Sequence, residues 1–189
     1  MPLADRSPEV SPVEVRPGQP RTVFVTGPPG AGKTRWLQAR IRVLRETRAE
    51  LRCAVLSVEE GRTRMEEFVR NEPGVTFGKL VMPCMCCPAL AGLPRAASEM
   101  VRATAAEFLF VEVPAVAVAG LLQEFDQALA WPREVVLCLD RRWATLRARP
   151  ELPYFHAGVI ALADVIVPPE PIATSPAAPT TPDAPSLTL

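Results

Sequence analysis

One eight-residue loop constrains the fold of this chain more than any other feature. Residues 27–34 read Gly-Pro-Pro-Gly-Ala-Gly-Lys-Thr, which matches the phosphate-binding pattern of glycine, four residues, glycine, lysine and serine or threonine. The β-branched and aromatic run at residues 22–26 predicts a buried strand before the loop. Apolar residues at helical spacing predict a helix over 33–50 after it. Strand, glycine loop and helix in that order form the context in which such a loop binds phosphate.

The chemistry expected of this loop follows from its residue types. Glycine allows backbone angles that turn successive amide N–H groups inward, and these form a concave anion site at the start of a helix. The ammonium of Lys33 is expected to reach the terminal phosphates, and the hydroxyl of Thr34 to bind Mg²⁺. The predicted nucleotide-binding residues are the loop and the residue after it: Gly27, Pro28, Pro29, Gly30, Ala31, Gly32, Lys33, Thr34 and Arg35.

Length and charge limit the class of protein further. A chain of 189 residues with 48% hydrophobic residues is long enough for one α/β domain with a well-buried core. Its 21 basic and 21 acidic residues give no electrostatic case for a nucleic-acid or membrane partner. We find neither the apolar core of a signal peptide nor an apolar run that could span a bilayer. We therefore expect a cytoplasmic protein with reduced cysteines.

Proline-rich ends divide the chain into three parts. We expect a disordered arm over 1–20, a nucleotide-binding domain over 21–167 and a disordered tail over 168–189. Within the domain, β-branched runs alternate with amphipathic segments, which predicts a three-layer α/β/α fold of the P-loop NTPase type with a mostly parallel sheet. Predicted strands cover 22–26, 52–58, 79–82, 108–113, 135–139 and 165–167. Predicted helices cover 33–50, 62–70, 89–106, 115–130 and short pieces of 141–163.

Ligands of such sheets bind at the carboxyl ends of the strands. The residues expected just past strand ends, and therefore at that edge, are Thr26, Glu59, Cys84, Glu112 and Asp140.

A cluster of three cysteines predicts a second ligand. Cys84, Cys86 and Cys87 lie between two prolines after the third predicted strand. Thiolates are soft donors that suit Zn²⁺ and similar ions, and three ligands favour an open, exchangeable site. A fourth donor would be water, Glu59, a second copy of the chain or, less readily, the single histidine, His156. The alternatives are a redox thiol pair and small apolar core residues.

The two remaining cysteines, Cys53 and Cys138, lie inside predicted strands and are expected to be inert.

A phosphate loop followed by Cys-x-Cys-Cys resembles the CobW-type members of the CobW/HypB/UreG family of P-loop GTPases, which are metal chaperones and related GTPases. The likeness covers about residues 22–167, the nucleotide-binding domain of such proteins. Residues 110–115, Phe-Val-Glu-Val-Pro-Ala, resemble the family's Ile-Glu-Thr-Ser-Gly segment. This implies that Glu112 holds the water shell of Mg²⁺ or orients the attacking water. Lys33 and Glu112 are therefore the expected catalytic residues.

The chain departs from the family pattern at four places. Pro168-Pro169-Glu170-Pro171 stands where Asn-Lys-x-Asp would read guanine, so the choice between GTP and ATP stays open. Ala115 replaces a glycine whose amide meets the γ-phosphate, which implies slow hydrolysis. Pro83 replaces the glycine before the first cysteine, and Lys79 replaces a glutamate that often binds metal.

The resemblance implies a nucleotide-dependent metal-binding protein with weak NTPase activity. Its expected ligands are GTP or ATP, Mg²⁺, and Zn²⁺ or another soft divalent metal, with a client metalloprotein and a second copy of the chain as candidate partners. A second hypothesis is a small-molecule kinase in which arginines of residues 141–149 hold a phosphate acceptor. A third is a non-catalytic nucleotide- or metal-binding module. The arginines of the kinase hypothesis are Arg141, Arg142, Arg147 and Arg149.

Overall fold

The computed structural model describes residues 19–58, 65–81, 92–149, 151 and 153–169. The strands in these ranges are β1 (Arg21–Thr26), β2 (Cys53–Ser57), β3 (Val75–Lys79), β4 (Phe108–Glu112), β5 (Arg133–Cys138) and β6 (Val165–Val167). The helices are α1 (Lys33–Thr47), α2 (Met65–Arg70), α3 (Gly92–Thr104), α4 (Val118–Leu129), α5 (Arg141–Arg147) and α6 (Tyr154–Ala161).

The six strands form one sheet in the order β3-β2-β4-β1-β5-β6. Every neighbouring pair is parallel, from β2 beside β3 to β5 beside β6. Parallel neighbours need a connection that crosses back over the sheet, and helices supply these connections. The predicted parallel α/β sheet is confirmed. Strand β1 lies in the interior of the sheet between β4 and β5. The loop that follows β1 therefore lies near the middle of the row of carboxyl strand ends.

Alternate residues of the central strands pack into two separate cores, one on each face. Phe24 and Leu109 point to the face covered by α3, α4, α5 and α6, where Phe24 meets Phe125 edge to face with ring centroids 5.0 Å apart. Val25 and Phe110 point to the opposite face, which α1 and α2 cover. Burial of both faces explains why these strands read as nearly continuous apolar runs. The predicted three layers are confirmed.

The third strand lies earlier in the chain than predicted. It spans Val75–Lys79 instead of 79–82, and it pairs with β2 so that Lys79 lies opposite Ser57. Gly74 has a φ of 79° and ends the preceding turn, after which Val75, Thr76 and Phe77 supply strand-forming side chains. The prediction was wrong because Gly78 interrupts this run and the later apolar residues looked more continuous.

The remaining elements agree with the predictions to within a few residues, and the differences fall at the ends of helices and strands; β5, for example, spans Arg133–Cys138 instead of 135–139. Helix α1 stops at Thr47 instead of residue 50, because Arg48 adopts extended backbone angles (φ −145°, ψ 95°) after its amide donates to the Leu44 carbonyl oxygen at 3.1 Å. Helices α2 and α3 begin next to stretches, 59–64 and 82–91, that lie outside the described residues. None of the described helices is long and apolar enough to cross a membrane.

Candidate functional site

The loop between β1 and α1 has the backbone shape that an anion site needs. Gly27, Gly30 and Gly32 all have positive φ, at 144°, 78° and 84°. The Ala31 amide donates to the Pro28 carbonyl oxygen at 3.2 Å and closes a turn within the loop. At Gly27 a Cβ atom would overlap the carbonyl oxygen of Cys138, the last residue of β5. Glycine at position 27 therefore lets the loop pass directly over the end of the neighbouring strand.

The first turn of α1 is open to an anion. Gly32 is the N-cap residue and offers no side-chain hydrogen bond, and no acidic side chain lies in the first turn. The amides of a first helical turn have no partner within the helix and carry the positive end of its dipole. Negatively charged groups are therefore favoured here, as the sequence pattern predicts for a phosphate.

Lys33 lies at the first position of α1 and is 4% exposed. Its ammonium donates to the carbonyl oxygens of Gly27 at 3.1 Å and Pro28 at 3.2 Å. The lysine thus spans the loop from its last residues back to its first ones. The ammonium lies beside the front half of the loop, which is where a terminal phosphate would need it.

Thr34 connects the loop to the end of β4. Its hydroxyl donates to Oε1 of Glu112 at 2.8 Å, and Glu112 is only 2% exposed. Val25 of β1 lies opposite Glu112 in the sheet, so the carboxylate is one strand away from the loop. A hydroxyl and a buried carboxylate beside a phosphate site are ligands of the type that Mg²⁺ uses together with water and phosphate oxygens.

Ser57 supports a Mg²⁺ site beside Thr34 and Glu112, because its hydroxyl is unsatisfied there. Ser57 lies opposite Glu112 in the sheet, and both side chains are on the face covered by α1. Its hydroxyl is buried and has no hydrogen-bond partner in the described part of the chain, as is true of Thr26 at the end of β1. Buried hydroxyls normally have a partner, such as ordered water. The residues present therefore suit a hydrated Mg²⁺ ion held by Thr34 and Glu112.

Two cavities border the loop, one along its second half and one along its first half. The first measures about 520 Å³ and lies along the second half of the loop and α1; we call it the nucleoside cavity. Its lining comprises Gly30, Ala31, Gly32, Arg35, Trp36, Ala39, Cys138, Leu139, Asp140, Arg141, Val167, Pro168 and Pro169. The cavity extends from the second half of the loop to Pro168 and Pro169, which follow β6.

The second cavity measures about 460 Å³ and lies beside the front half of the loop; we call it the front cavity. Its lining comprises Gly27, Pro28, Pro29, Pro114, Ala115, Val116, Asp140, Arg142, Trp143, Phe155 and His156. Asp140 lies between the two cavities, and its Oδ1 accepts from the Trp143 amide at 2.7 Å, which caps α5. Of the four arginines of the kinase hypothesis, Arg142 lines this cavity and Arg141 the other.

His156 packs against two neighbouring aromatic rings. Its centroid lies 4.5 Å from that of Trp143 and 5.6 Å from that of Phe155. Its Nδ1 atom is buried and makes no hydrogen bond within the described residues. The ring of His156 is therefore partly buried beside Trp143 and Phe155.

The cysteines divide into two groups. Cys53 and Cys138 are 1% exposed and lie within β2 and β5, as predicted. Burial raises the pKa of the Cys53 thiol to about 11 and that of Cys138 to about 12. Cys84, Cys86 and Cys87, together with Glu59, lie outside the described residues. Within the described ranges no three potential metal ligands come together.

The structure adds residues that the sequence analysis did not single out. Ser57 is the clearest case, because a polar residue that ends a buried parallel strand belongs to the ligand edge, and this signal was present in the sequence. Trp36, Trp143 and Phe155 gave no such signal, since aromatic residues at helical spacing usually belong to the core. Their place beside the loop depends on the order of the strands.

Comparisons with known proteins agree with this geometry. A family model described as "CobW/HypB/UreG, nucleotide-binding domain" matches residues 21–167. No curated protein matches the chain at a significant level.

The chain is also similar in fold to solved structures of the signal recognition particle receptor FtsY. FtsY of Mycoplasma mycoides aligns with a TM-score of 0.57 at 14% identity, over 82% of this chain and 53% of its own. FtsY of Elizabethkingia anophelis in complex with GDP gives 0.56 at 14% identity, over 84% and 51%. The cell division protein FtsY of Thermotoga maritima gives 0.54 at 14%, over 82% and 54%. The chain therefore spans about half the length of these structures, and the likeness concerns the fold alone.

Proposed function

Because the chain belongs to the CobW/HypB/UreG family of nucleotide-binding domains, we propose that it is a nucleotide-dependent metal-binding protein that hydrolyses GTP slowly. The observation that carries this proposal is the hydrogen bond of 2.8 Å between the Thr34 hydroxyl and the buried Glu112 carboxylate. It joins the phosphate loop to the end of an adjacent strand. A change in the bound phosphates would therefore be transmitted through this hydrogen bond to the carboxyl ends of the strands, where other ligand-binding segments begin.

The nucleotide would bind with its phosphates over the loop and its base in the nucleoside cavity. The glycine-shaped backbone and the open first turn of α1 supply amide donors, and Lys33 supplies a positive charge. A phosphate would compete with the loop carbonyl oxygens for the Lys33 ammonium. The base would lie against apolar surface from Trp36 and Pro169, together with the charged groups of Arg35 and Asp140.

Hydrolysis would depend on Lys33 and Glu112. Mg²⁺, when bound, would neutralise charge that develops on the transferred phosphoryl group. Lys33 would stabilise the same charge, and Glu112 would hold the water that attacks phosphorus, releasing GDP and phosphate. Ala115 is 7% exposed and follows Pro114, whose carbonyl oxygen accepts from the Ala117 amide at 3.1 Å. This stiff turn offers the γ-phosphate no glycine amide, which supports a slow rate.

The metal would be Zn²⁺ or another soft divalent ion held by Cys84, Cys86 and Cys87. Strand β3 ends at Lys79, which lies opposite Ser57, and Ser57 in turn lies opposite Glu112. Cys84 follows Lys79 by five positions in the sequence. The chain therefore leaves the described part of the sheet at the edge that carries the phosphate loop, which supports coupling between the two ligands. A client metalloprotein would receive the metal.

Nucleotide binding is tested by replacing Lys33. Lys33→Ala is expected to weaken binding of GTP and Mg²⁺ by at least about tenfold, since one charge-assisted contact contributes roughly 1.5–3 kcal/mol. The other lysine of the sequence, Lys79, gives a matched control because it pairs with Glu66 at 2.7 Å and lies on β3, which β2 and β4 separate from β1. Calorimetric titrations with GTP and with ATP would measure both variants. Equal affinities for wild type and Lys33→Ala would contradict the assignment of the loop.

Metal binding is tested by replacing the cysteines in turn. Cys84→Ser and Cys86→Ser are expected to abolish tight Zn²⁺ binding in a chelator competition assay, because the remaining donors cannot complete the site. Cys53→Ala is the control, since Cys53 is buried in β2. Light scattering with and without Zn²⁺ would show whether a second copy supplies the fourth donor. Retention of tight binding by Cys84→Ser would exclude this ligand set.

A further inference from the structure

We propose that the front cavity is a second ligand site, which binds a small molecule with a planar apolar body and one anionic group. This second site rests on the proposed function only in that a nucleotide binds next to it. It does not depend on the metal site. Its basis is a cavity of about 460 Å³, much larger than a phosphoryl group, with two kinds of lining that suit different parts of one ligand.

The front cavity lies beside the part of the loop that Lys33 contacts. The Lys33 ammonium contacts the carbonyl oxygens of Gly27 and Pro28, and both of these residues line the front cavity. The nucleoside cavity, by contrast, is lined by the second half of the loop from Gly30 onwards. A nucleotide laid along the loop with its base in the nucleoside cavity would direct its last phosphate toward the front cavity. A ligand there would lie next to that phosphate.

Much of the front cavity is lined by aromatic rings and prolines. Trp143, Phe155 and His156 form a cluster of edge-to-face and tilted rings, with Trp143 and Phe155 centroids 6.0 Å apart. Phe155 is 42% exposed, although it packs against Trp143, which is only 8% exposed. Pro28 and Pro114 line the same cavity. A planar apolar body would bury surface against these rings, in the way that small-molecule sites combine apolar walls with a few polar groups.

The front cavity also carries a positively charged side chain. Arg142 lines the front cavity, is exposed, and makes no ion pair within the described part of the chain. Asp140, the acidic residue among the lining groups, already accepts a hydrogen bond as the cap of α5. A guanidinium forms strong two-point hydrogen bonds with carboxylate and phosphate groups. Arg142 would therefore select an anionic ligand over a neutral one of the same shape.

The test uses two anionic probes, 4-fluorobenzoate and 4-fluorophenyl phosphate, and the neutral probe 4-fluorobenzyl alcohol. Fluorine NMR would measure their affinity for the full-length protein, with and without GTP and Mg²⁺. Arg142→Gln is expected to weaken the anionic probes roughly threefold to tenfold and to leave the neutral probe unchanged, as loss of one charged contact implies. Phe155→Ala should weaken all three probes.

Matched controls come from the same two helices. Arg147→Gln removes a similar exposed charge from α5, and Tyr154→Ala removes an aromatic ring that is 95% exposed. Neither residue lines the front cavity, so both variants should bind the probes as wild type does. Equal probe affinity in Arg142→Gln, Phe155→Ala and the controls would overturn the proposal, as would the absence of binding by both anionic probes.

The indole N–H signals of the three tryptophans locate each ligand. The probes should shift the signal of Trp143, which lines the front cavity, whereas GTP should shift that of Trp36, which lines the nucleoside cavity. Trp131 packs against Phe125 at 5.9 Å and serves as the reference. A Trp36 shift with GTP but no Trp143 shift with the probes would refute the second site alone. No Trp36 shift with GTP would instead contradict the proposed nucleotide function.

Discussion

At the residue scale, Thr34 and Glu112 carry most of the proposed chemistry. The threonine hydroxyl lies 2.8 Å from a carboxylate that is almost fully buried. A buried carboxylate is costly unless its charge is compensated by hydrogen bonds or cations. The buried charge of Glu112 beside the phosphate loop is readily explained if a cation and water compensate it when nucleotide is bound. Replacing Glu112 should therefore impair hydrolysis while leaving nucleotide binding largely intact.

Glu112→Gln tests this separation. The amide keeps the size of the side chain and can still accept from Thr34, so GTP affinity should change by no more than a few-fold. Hydrolysis should fall about a hundredfold, the usual scale for loss of a group that positions or deprotonates a nucleophile. Phosphate release under single-turnover conditions would measure the rate. Glu107→Gln, just before β4, is the control, and an unchanged rate in Glu112→Gln would remove Glu112 from the reaction.

Cys53 and Cys138 should resist alkylation in the folded protein. Burial raises their pKa values to about 11 and about 12, so the reactive thiolate is scarce at neutral pH. Because a free thiol has a pKa of about 8.5, the neutral thiols stabilise the fold fully below that pH. The stabilisation is lost as pH rises through the folded-state pKa values, about 11 for Cys53 and about 12 for Cys138.

Iodoacetamide labelling followed by peptide mass spectrometry would measure the alkylation of the two thiols at pH 8 and again at pH 9. Unfolded protein is the control, in which both thiols should react. Rapid labelling of either residue in the native state would contradict its burial.

At the scale of elements, the turn from β1 into α1 is the most constrained segment. Gly27 has a φ of 144°, and a side chain there would overlap the backbone of β5. Gly158, in contrast, lies within α6 with open space around its missing side chain. The same substitution should therefore have opposite effects at the two positions.

Gly27→Ala is expected to lower the free energy of unfolding by about 1–3 kcal/mol through backbone strain, and to disturb phosphate binding as well. Gly158→Ala should raise it by about 0.5–1 kcal/mol, because alanine favours a helix and restricts the unfolded chain. Urea denaturation would measure both values. A neutral result at Gly27 would show that the loop can move away from β5 without cost.

The sequence predicts most of the elements because their signals are local. Short β-branched runs identified five strands, and the glycine loop identified the start of α1 at Lys33. The third strand was misplaced because Gly78 interrupts its pattern, and its position is fixed by pairing with β2. The front cavity could not be predicted, because it brings together the loop, the end of β4, α5 and α6 through the strand order.

At the scale of the whole molecule, the parallel sheet places the phosphate loop, Glu112 and the end of β3 along one row of carboxyl strand ends. The phosphate loop follows β1, Glu112 ends β4, and β3 ends at Lys79 on the same side. This arrangement allows the state of the nucleotide to influence a segment that follows β3. Coupling between two sites is reciprocal, so a change in metal affinity caused by nucleotide requires an equal change in nucleotide affinity caused by metal.

The most direct test of this account is calorimetric titration of Zn²⁺ into the protein, first alone and then saturated with GTP and Mg²⁺. We expect the Zn²⁺ dissociation constant to change by about fivefold or more, the lower end of typical coupling between sites. The GTP dissociation constant should change by the same factor when Zn²⁺ is present. Equal Zn²⁺ affinities with and without GTP, in protein that binds both ligands, would contradict the proposal that the nucleotide controls the metal.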